Sequence, residues 1–124
     1  MKINDPAVLE DVTAAFQRYE TALVTNDVAV LDELFWIDPK TVRMGATENL
    51  YGHEQILAFR KTRSSKNLDR TLQNTMITTF GLDHASAVTE FTRPGESRIG
   101  RQSQMWVRID GDWRIVAAHV SWMD

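Results

Sequence analysis

WVRIDGDWRIV, residues 106–116, is the stretch on which the fold turns. Its centre, Asp110-Gly111, is a two-residue hairpin signal: such a turn needs positive φ at both positions, and aspartate and glycine tolerate it. Aromatic and β-branched residues flank the turn on both sides, which favours paired antiparallel strands. Working outward, the pattern predicts strands over Ile99–Ile109 and Trp113–Trp122. Upstream, Pro94-Gly95-Glu96 marks a turn, and Ala85–Thr92 alternates as a strand. Gly81-Leu82-Asp83-His84 turns again, after a Thr-, Met- and Ile-rich strand over Thr71–Phe80.

The N-terminal half has a different period. Asp5-Pro6 is a helix start, a capping side chain followed by proline in the first turn. Val8, Val12, Ala15, Phe16, Tyr19 and Leu23 then recur on one face, which predicts a helix from about residue 6 to 25 with Tyr19 pointing inward. Asn26-Asp27 re-caps a short second helix through Leu31, Leu34 and Phe35, and Asp38-Pro39 ends it. Thr41-Val42-Arg43-Met44-Gly45 alternates as a strand. Thr47–Gly52 reads as a connection, and a third helix follows from about His53 to Arg63. The order α-α-β-α-β-β-β-β over one domain, residues 1–124, is α+β. A curved, mostly antiparallel sheet wrapped over three N-terminal helices buries both layers, and the hollow between them is the expected pocket.

Composition limits the function. The net charge is −3 and the pI about 5.6, which argues against a nucleic-acid partner. No run approaches the roughly 18 apolar residues of a membrane helix. The start MKINDPAVLEDV meets charge at once, unlike a signal-peptide core, so a cytoplasmic location is expected. There is no cysteine, hence no disulfide or thiolate. The three histidines, His53, His84 and His119, form no ligand pair, so no metal is expected. No phosphate-binding loop, dinucleotide fingerprint or serine-nucleophile motif is present, and no cofactor is expected.

The segments VLEDVTAAFQRYETALVTNDVAVLDELF, YGHEQILAFR and WVRIDGDWRIVAAHVS resemble the SnoaL-like, cystatin-like cone superfamily. FWIDPKTVRMGATENLYG, GRQSQMWVRIDGDWRIVAAHVSWMD and RYETALVTNDVAVLDELF resemble, more narrowly, the AtzH-like (HpxZ-type) family of oxalurate and cyanuric acid catabolism. The resemblance covers essentially the whole chain. It implies removal of a carboxyl group from 1,3-dicarboxyurea to give allophanate, or a related step on oxalurate-type compounds. It also implies that Tyr19 and Arg43 matter for that activity.

Each candidate has a plain reading beside the functional one. Arg43 is a solvent-facing strand charge, or a carboxylate clamp with Gly45 leaving room beside it. Tyr19 is core packing, or a proton donor whose ionisation a nearby guanidinium eases. Arg60 and Arg63 share a face with Ile56, and either snorkel along the helix or reach the pocket. Gln102 and Gln104 share a face with Trp106, and are either interface surface or polar hooks for a urea-like ligand. His119, with Ala117 and Ser121 on its face, is a hydrogen-bonded core histidine or a ligand contact. Trp36 and Tyr51 are packing residues or pocket walls. Tyr19 and Arg43 as catalytic residues, with the others as substrate contacts, describe an enzyme for a small anionic substrate. The alternative is a non-catalytic carboxylate-binding or accessory subunit. Strands apolar on both faces (Met105 and Val107 opposite Trp106, Ile115 opposite Val116 and Trp122) predict a homodimer through the outer face of the sheet.

Overall fold

The computed structural model describes residues 1–124. Helix α1 spans Pro6–Thr25 and α2 Val28–Leu34. The Asp5 carboxylate starts α1 by accepting the amides of Ala7 and Val8, and Asn26 ends it in the left-handed conformation. Asp27 then caps α2 through the Val30 amide, so two adjacent polar residues close one helix and open the next. Strands β1 (Val42–Met44) and β2 (Asn49–Tyr51) lead into α3 (His53–Thr62). Strands β3 (Thr71–Phe80), β4 (His84–Thr92), β5 (Ile99–Ile109) and β6 (Asp112–Met123) complete the chain.

The strands form one sheet in the order β2-β1-β6-β5-β4-β3. All pairs are antiparallel except β1–β6, which is parallel. Segment 49–51, expected to be a connection, is an edge strand that folds back on β1. Three residues are too few to show a period, and two of them are exposed. The helices cover one face of the sheet. Their Val12, Phe16, Tyr19, Leu31, Leu34 and Ile56 share a single apolar cluster with Ala87, Trp106, Ile115 and Ala118 of the strands.

The β5–β6 hairpin forms as expected but is not regular. Trp106 faces Ile115 and Met105 faces Ala117, so β6 carries an extra residue, Val116, at that point. A bulge bends its strand and resets the alternation beyond it. Ile115 and Ala118 therefore both face the helices and are buried. Trp122, expected opposite Ile115, lies instead on the inner side, edge-on to Phe91 with ring centroids 5.3 Å apart. His119 moves to the outer side and is exposed.

Gly100 shows how tightly the inner surface is filled. It pairs with Phe91 of β4, whose ring lies over it. A Cβ at residue 100 would sit 2.2 Å from the ring, and Trp122 and Arg70 hold that ring in place. Gly100→Ala is expected to destabilise the protein by about 1–3 kcal/mol, the usual cost of overpacking. A urea unfolding curve reads this, and an unchanged midpoint would show that Phe91 can move aside.

Candidate functional site

One row of inward-facing residues crosses four strands. Arg43 of β1 lies beside Ala118 of β6, Ala118 beside Gln104 of β5, and Gln104 beside Ala87 of β4. All four are buried. Strands stand about 4.8 Å apart, so Arg43 and Gln104 are about 10 Å apart across the sheet. Only an alanine methyl lies between them, which leaves a small floor with a cation at one end and an amide at the other.

Two helices close over this end of the sheet. Tyr19, from the apolar stripe of α1, is 1% exposed, as is Arg60 of α3. Arg60 stands over the Phe35 ring, 5.5 Å from its centroid. Neither its Nε nor either Nη has a hydrogen-bond partner. Burial pushes its pKa down to about 10; Arg43 and Arg63 push the same way, and Tyr19 opposes them. Arg60 faces the Tyr19 hydroxyl closely enough to perturb it, although no nitrogen is aligned for a hydrogen bond. Burial alone would raise the Tyr19 pKa, but the guanidiniums of Arg60, Arg70 and Arg43 outweigh it, and the phenol is more acidic than usual.

Four further arginines surround this pair. Arg43 donates to Glu48 Oε1 at 2.8 Å and packs over the Phe59 ring, while its buried Nε has no partner. Burial opposes ionisation of Glu48, but hydrogen bonds from Thr47 and Arg43 prevail and hold its carboxyl below the usual range. Arg70 donates twice to Glu20, at 2.8 and 2.6 Å, and once to Gln102 Oε1, at 3.0 Å. Arg93 donates to the Leu68 carbonyl at 2.7 Å, and Arg63 is half-buried. No carboxylate makes an ion pair with Arg60, Arg63 or Arg93. Arg43, Glu48, Phe59, Arg63, Leu68 and Arg93 line a cavity of about 330 Å³ at the mouth.

The fold thus gathers Tyr19, Arg43, Arg60, Gln102 and Gln104 on the inner side, with Arg63 at the rim. It does not gather the remaining candidates. His119 is exposed on the outer face because of the β6 bulge, where it borders a separate cleft with Gly45 and Arg98 instead of the hollow. Tyr51 is 57% exposed on the edge strand and lines a separate cleft with Ile37 and His53. Trp36 leaves α2 half-buried under the Lys40 ammonium and lines neither cavity. Gly45 plays a different part from the one expected. The space beside it is filled by the Glu48 carboxylate, and a Cβ there would lie 1.9 Å from Oε1.

Arg70, Arg93, Glu20 and Glu48 escaped the sequence reading. A signal existed for two of them. Arg70 immediately precedes β3 and Arg93 follows β4, and Thr71 pairs with Thr92. An antiparallel pairing of these two strands brings the flanking arginines to one end of the sheet. No cluster of three or more histidines and carboxylates suited to a metal is present, and no helix is long and apolar enough to cross a membrane.

The chemistry of this interior is one-sided: guanidiniums, amide N–H groups and a phenol all offer hydrogens. It suits an anionic ligand rich in acceptors. The ionisation of Tyr19 reports on it directly, since the chain has two tyrosines. Tyrosinate absorbance in the near ultraviolet is expected to rise at lower pH in the folded than in the unfolded protein. Tyr19→Phe should remove that early rise and Arg60→Met should move it upward. An early rise that survives Tyr19→Phe would contradict the assignment.

Similar proteins agree with this architecture. The crystal structure of a DUF3225-family protein of unknown function from Pectobacterium atrosepticum is 66% identical, with a TM-score of 0.97 over 98% of this chain and 95% of that one. A cystatin-like fold protein from Burkholderia xenovorans is 44% identical, with a TM-score of 0.95 over 99% and 97%. A nuclear transport factor 2-like superfamily protein from Salmonella enterica is 26% identical, with a TM-score of 0.76 over 95% and 92%. No curated protein matches the chain. The three helices and mixed six-stranded sheet are thus a cystatin-like, nuclear transport factor 2-like cone. The AtzH-like family matches residues 1–124 from end to end, and the chain belongs to that family.

Proposed function

We propose that this protein is a cofactor-free enzyme that removes a carboxyl group from a small N-carboxylated urea of the 1,3-dicarboxyurea type. The observation that carries the reading is Arg60, a buried guanidinium with no anion, facing a phenol made unusually acidic. A buried charge is stable only when paired, so the hollow is built for a ligand that brings negative charge. Arg43 and Arg60, with Arg63 at the rim, hold the carboxylate that stays on the substrate. The carboxylate that leaves loses its charge as carbon dioxide, so a tight clamp on it would oppose the reaction.

The step needs one proton. Tyr19 gives its phenolic proton to the nitrogen bearing the departing carboxylate. The N–C bond breaks, its electron pair stays on nitrogen, carbon dioxide leaves, and allophanate remains. Water returns a proton to the Tyr19 phenolate. A site largely closed to solvent strengthens both the clamp and the donor.

Carbon dioxide release from 1,3-dicarboxyurea tests this. Tyr19→Phe should lower kcat by about 10²–10⁴-fold, the usual worth of a positioned acid. Arg43→Ala should lower kcat/KM by about 100-fold or more. Full activity in both variants would remove the residue assignment. Thermal stabilisation by allophanate or oxalurate without any chemical change would mark a carboxylate-binding subunit instead.

We also propose that the protein works in the cytoplasm as a homodimer joined through the outer face of the sheet. Met76, Val88 and Met105 stand exposed there on three adjoining strands, and such a patch favours a partner surface. Sedimentation should show a dimer, and Val88→Glu with Met105→Glu should give monomer. A wild-type monomer at every concentration would refute the dimer.

A further inference from the structure

Gln102 and Gln104 are 1% and 3% exposed, and the Nε2 of each is buried without a partner. Their oxygens, by contrast, are occupied. Arg70 Nη2 donates to Gln102 Oε1 at 3.0 Å, and Trp106 Nε1 donates to Gln104 Oε1 at 3.0 Å. A guanidinium and an indole N–H can only donate, so chemistry fixes which end of each amide meets them. Both NH₂ groups are therefore left free as donors. Arg70 is itself locked by two bonds to Glu20, and Trp106 is 0% exposed.

The two glutamines sit two residues apart on the inner side of β5, about 7 Å between Cα atoms. The neighbours of Gln104 in the row are Ala87 and Ala118, so the side chains that flank it on the sheet are small. Arg43 lies in the same row beyond Ala118. The guanidiniums serve the carboxylates, which leaves two neutral donors for a neutral acceptor.

We propose that the Gln102 and Gln104 amides, held NH₂-inward by Arg70 and Trp106, form a binding site for the carbonyl oxygen between the substrate's two carboxyl-bearing arms. This rests on the carboxylate-clamp reading above and adds the group that reads the centre of the ligand. It makes Arg70 a positioning residue for Gln102. It also gives the amides a part in the reaction. As the N–C bond breaks with transfer of the Tyr19 proton, electron density that reaches nitrogen ahead of the proton spreads onto the adjacent carbonyl oxygen. Two preset donors at that oxygen stabilise the developing charge.

Glutarate and 3-oxoglutarate separate this site from the clamp. Both are dianions of the same length, and they differ only in a central carbonyl oxygen. Titration calorimetry on the wild type should show 3-oxoglutarate binding about tenfold tighter or better, since without the oxygen the buried donors stay unpaired. The preference should fall to within about twofold in Gln104→Leu and in Gln102→Leu, with glutarate binding retained as the sign of an intact clamp and fold. Arg70→Met should also reduce the ratio, by freeing Gln102 to turn. Equal binding of the two ligands by the wild type would overturn the carbonyl site and leave the clamp standing. So would a preference that persists in both glutamine variants. Failure of both dianions to bind would overturn the clamp, and this inference with it.

Discussion

A guanidinium taken out of water without an anion is among the least favourable things a small domain can contain, and the inner end of this cone is arranged around one. Arg60 gains the face of Phe35 and the neighbourhood of Tyr19, while Arg43 and Arg63 add repulsion. None of these replaces a counter-charge. The arrangement persists because the rest of the chain supplies a well-filled apolar cluster between α1, α2 and the middle of the sheet. Stability made at one end of the cone is given up at the other, where the ligand is to be held.

The sheet divides that labour by residue size. At the closed end its inner surface carries Trp106, Trp113 and Ile115, which fill the space under the helices. Farther along, it carries the small Ala87 and Ala118 and the polar Gln102 and Gln104. The boundary falls at the β6 bulge. Without that extra residue the alternation would carry Ala117, His119 and Ser121 inward with Ile115, and an imidazole would stand near Arg43. One unpaired residue thus decides that the floor is alanine and the chemistry is left to arginine, tyrosine and amide.

Much of this was legible in the residues. Helix caps at Asp5 and Asp27, the stripe that carries Tyr19, and the Asp110-Gly111 turn act locally, and each formed as read. Arg43 and Gln104 also came out facing inward, because β1 and β5 alternate without interruption up to those positions. What was not legible depends on partners distant in the chain. Strand β2 exists only because β1 offers it an edge. The bulge is set by how β6 must bend over the helices, so His119 was placed on the wrong face. Tyr51 and Trp36 looked like pocket walls by type, yet their elements lie outside the hollow. Arg70 meets Glu20 and Gln102 across 50 and 32 residues, a separation that no spacing rule reaches.

The parallel pairing of β1 with β6 has a consequence for how the site comes into being. Val42 lies against Ala117 and Arg43 against Ala118, so Arg43 acquires its place in the row only through a strand far later in the chain. Until residues 112–123 are available, β1 and β2 form a ladder three residues long with nothing to anchor it. Such a ladder is too short to persist alone, whereas the helices and the β3–β4 hairpin rest on contacts close in sequence. Until β6 has been made, a nascent chain therefore carries Arg43 and the arginines around it dispersed and hydrated. The electrostatic penalty falls due only when β6 docks beside β1 and the row is complete.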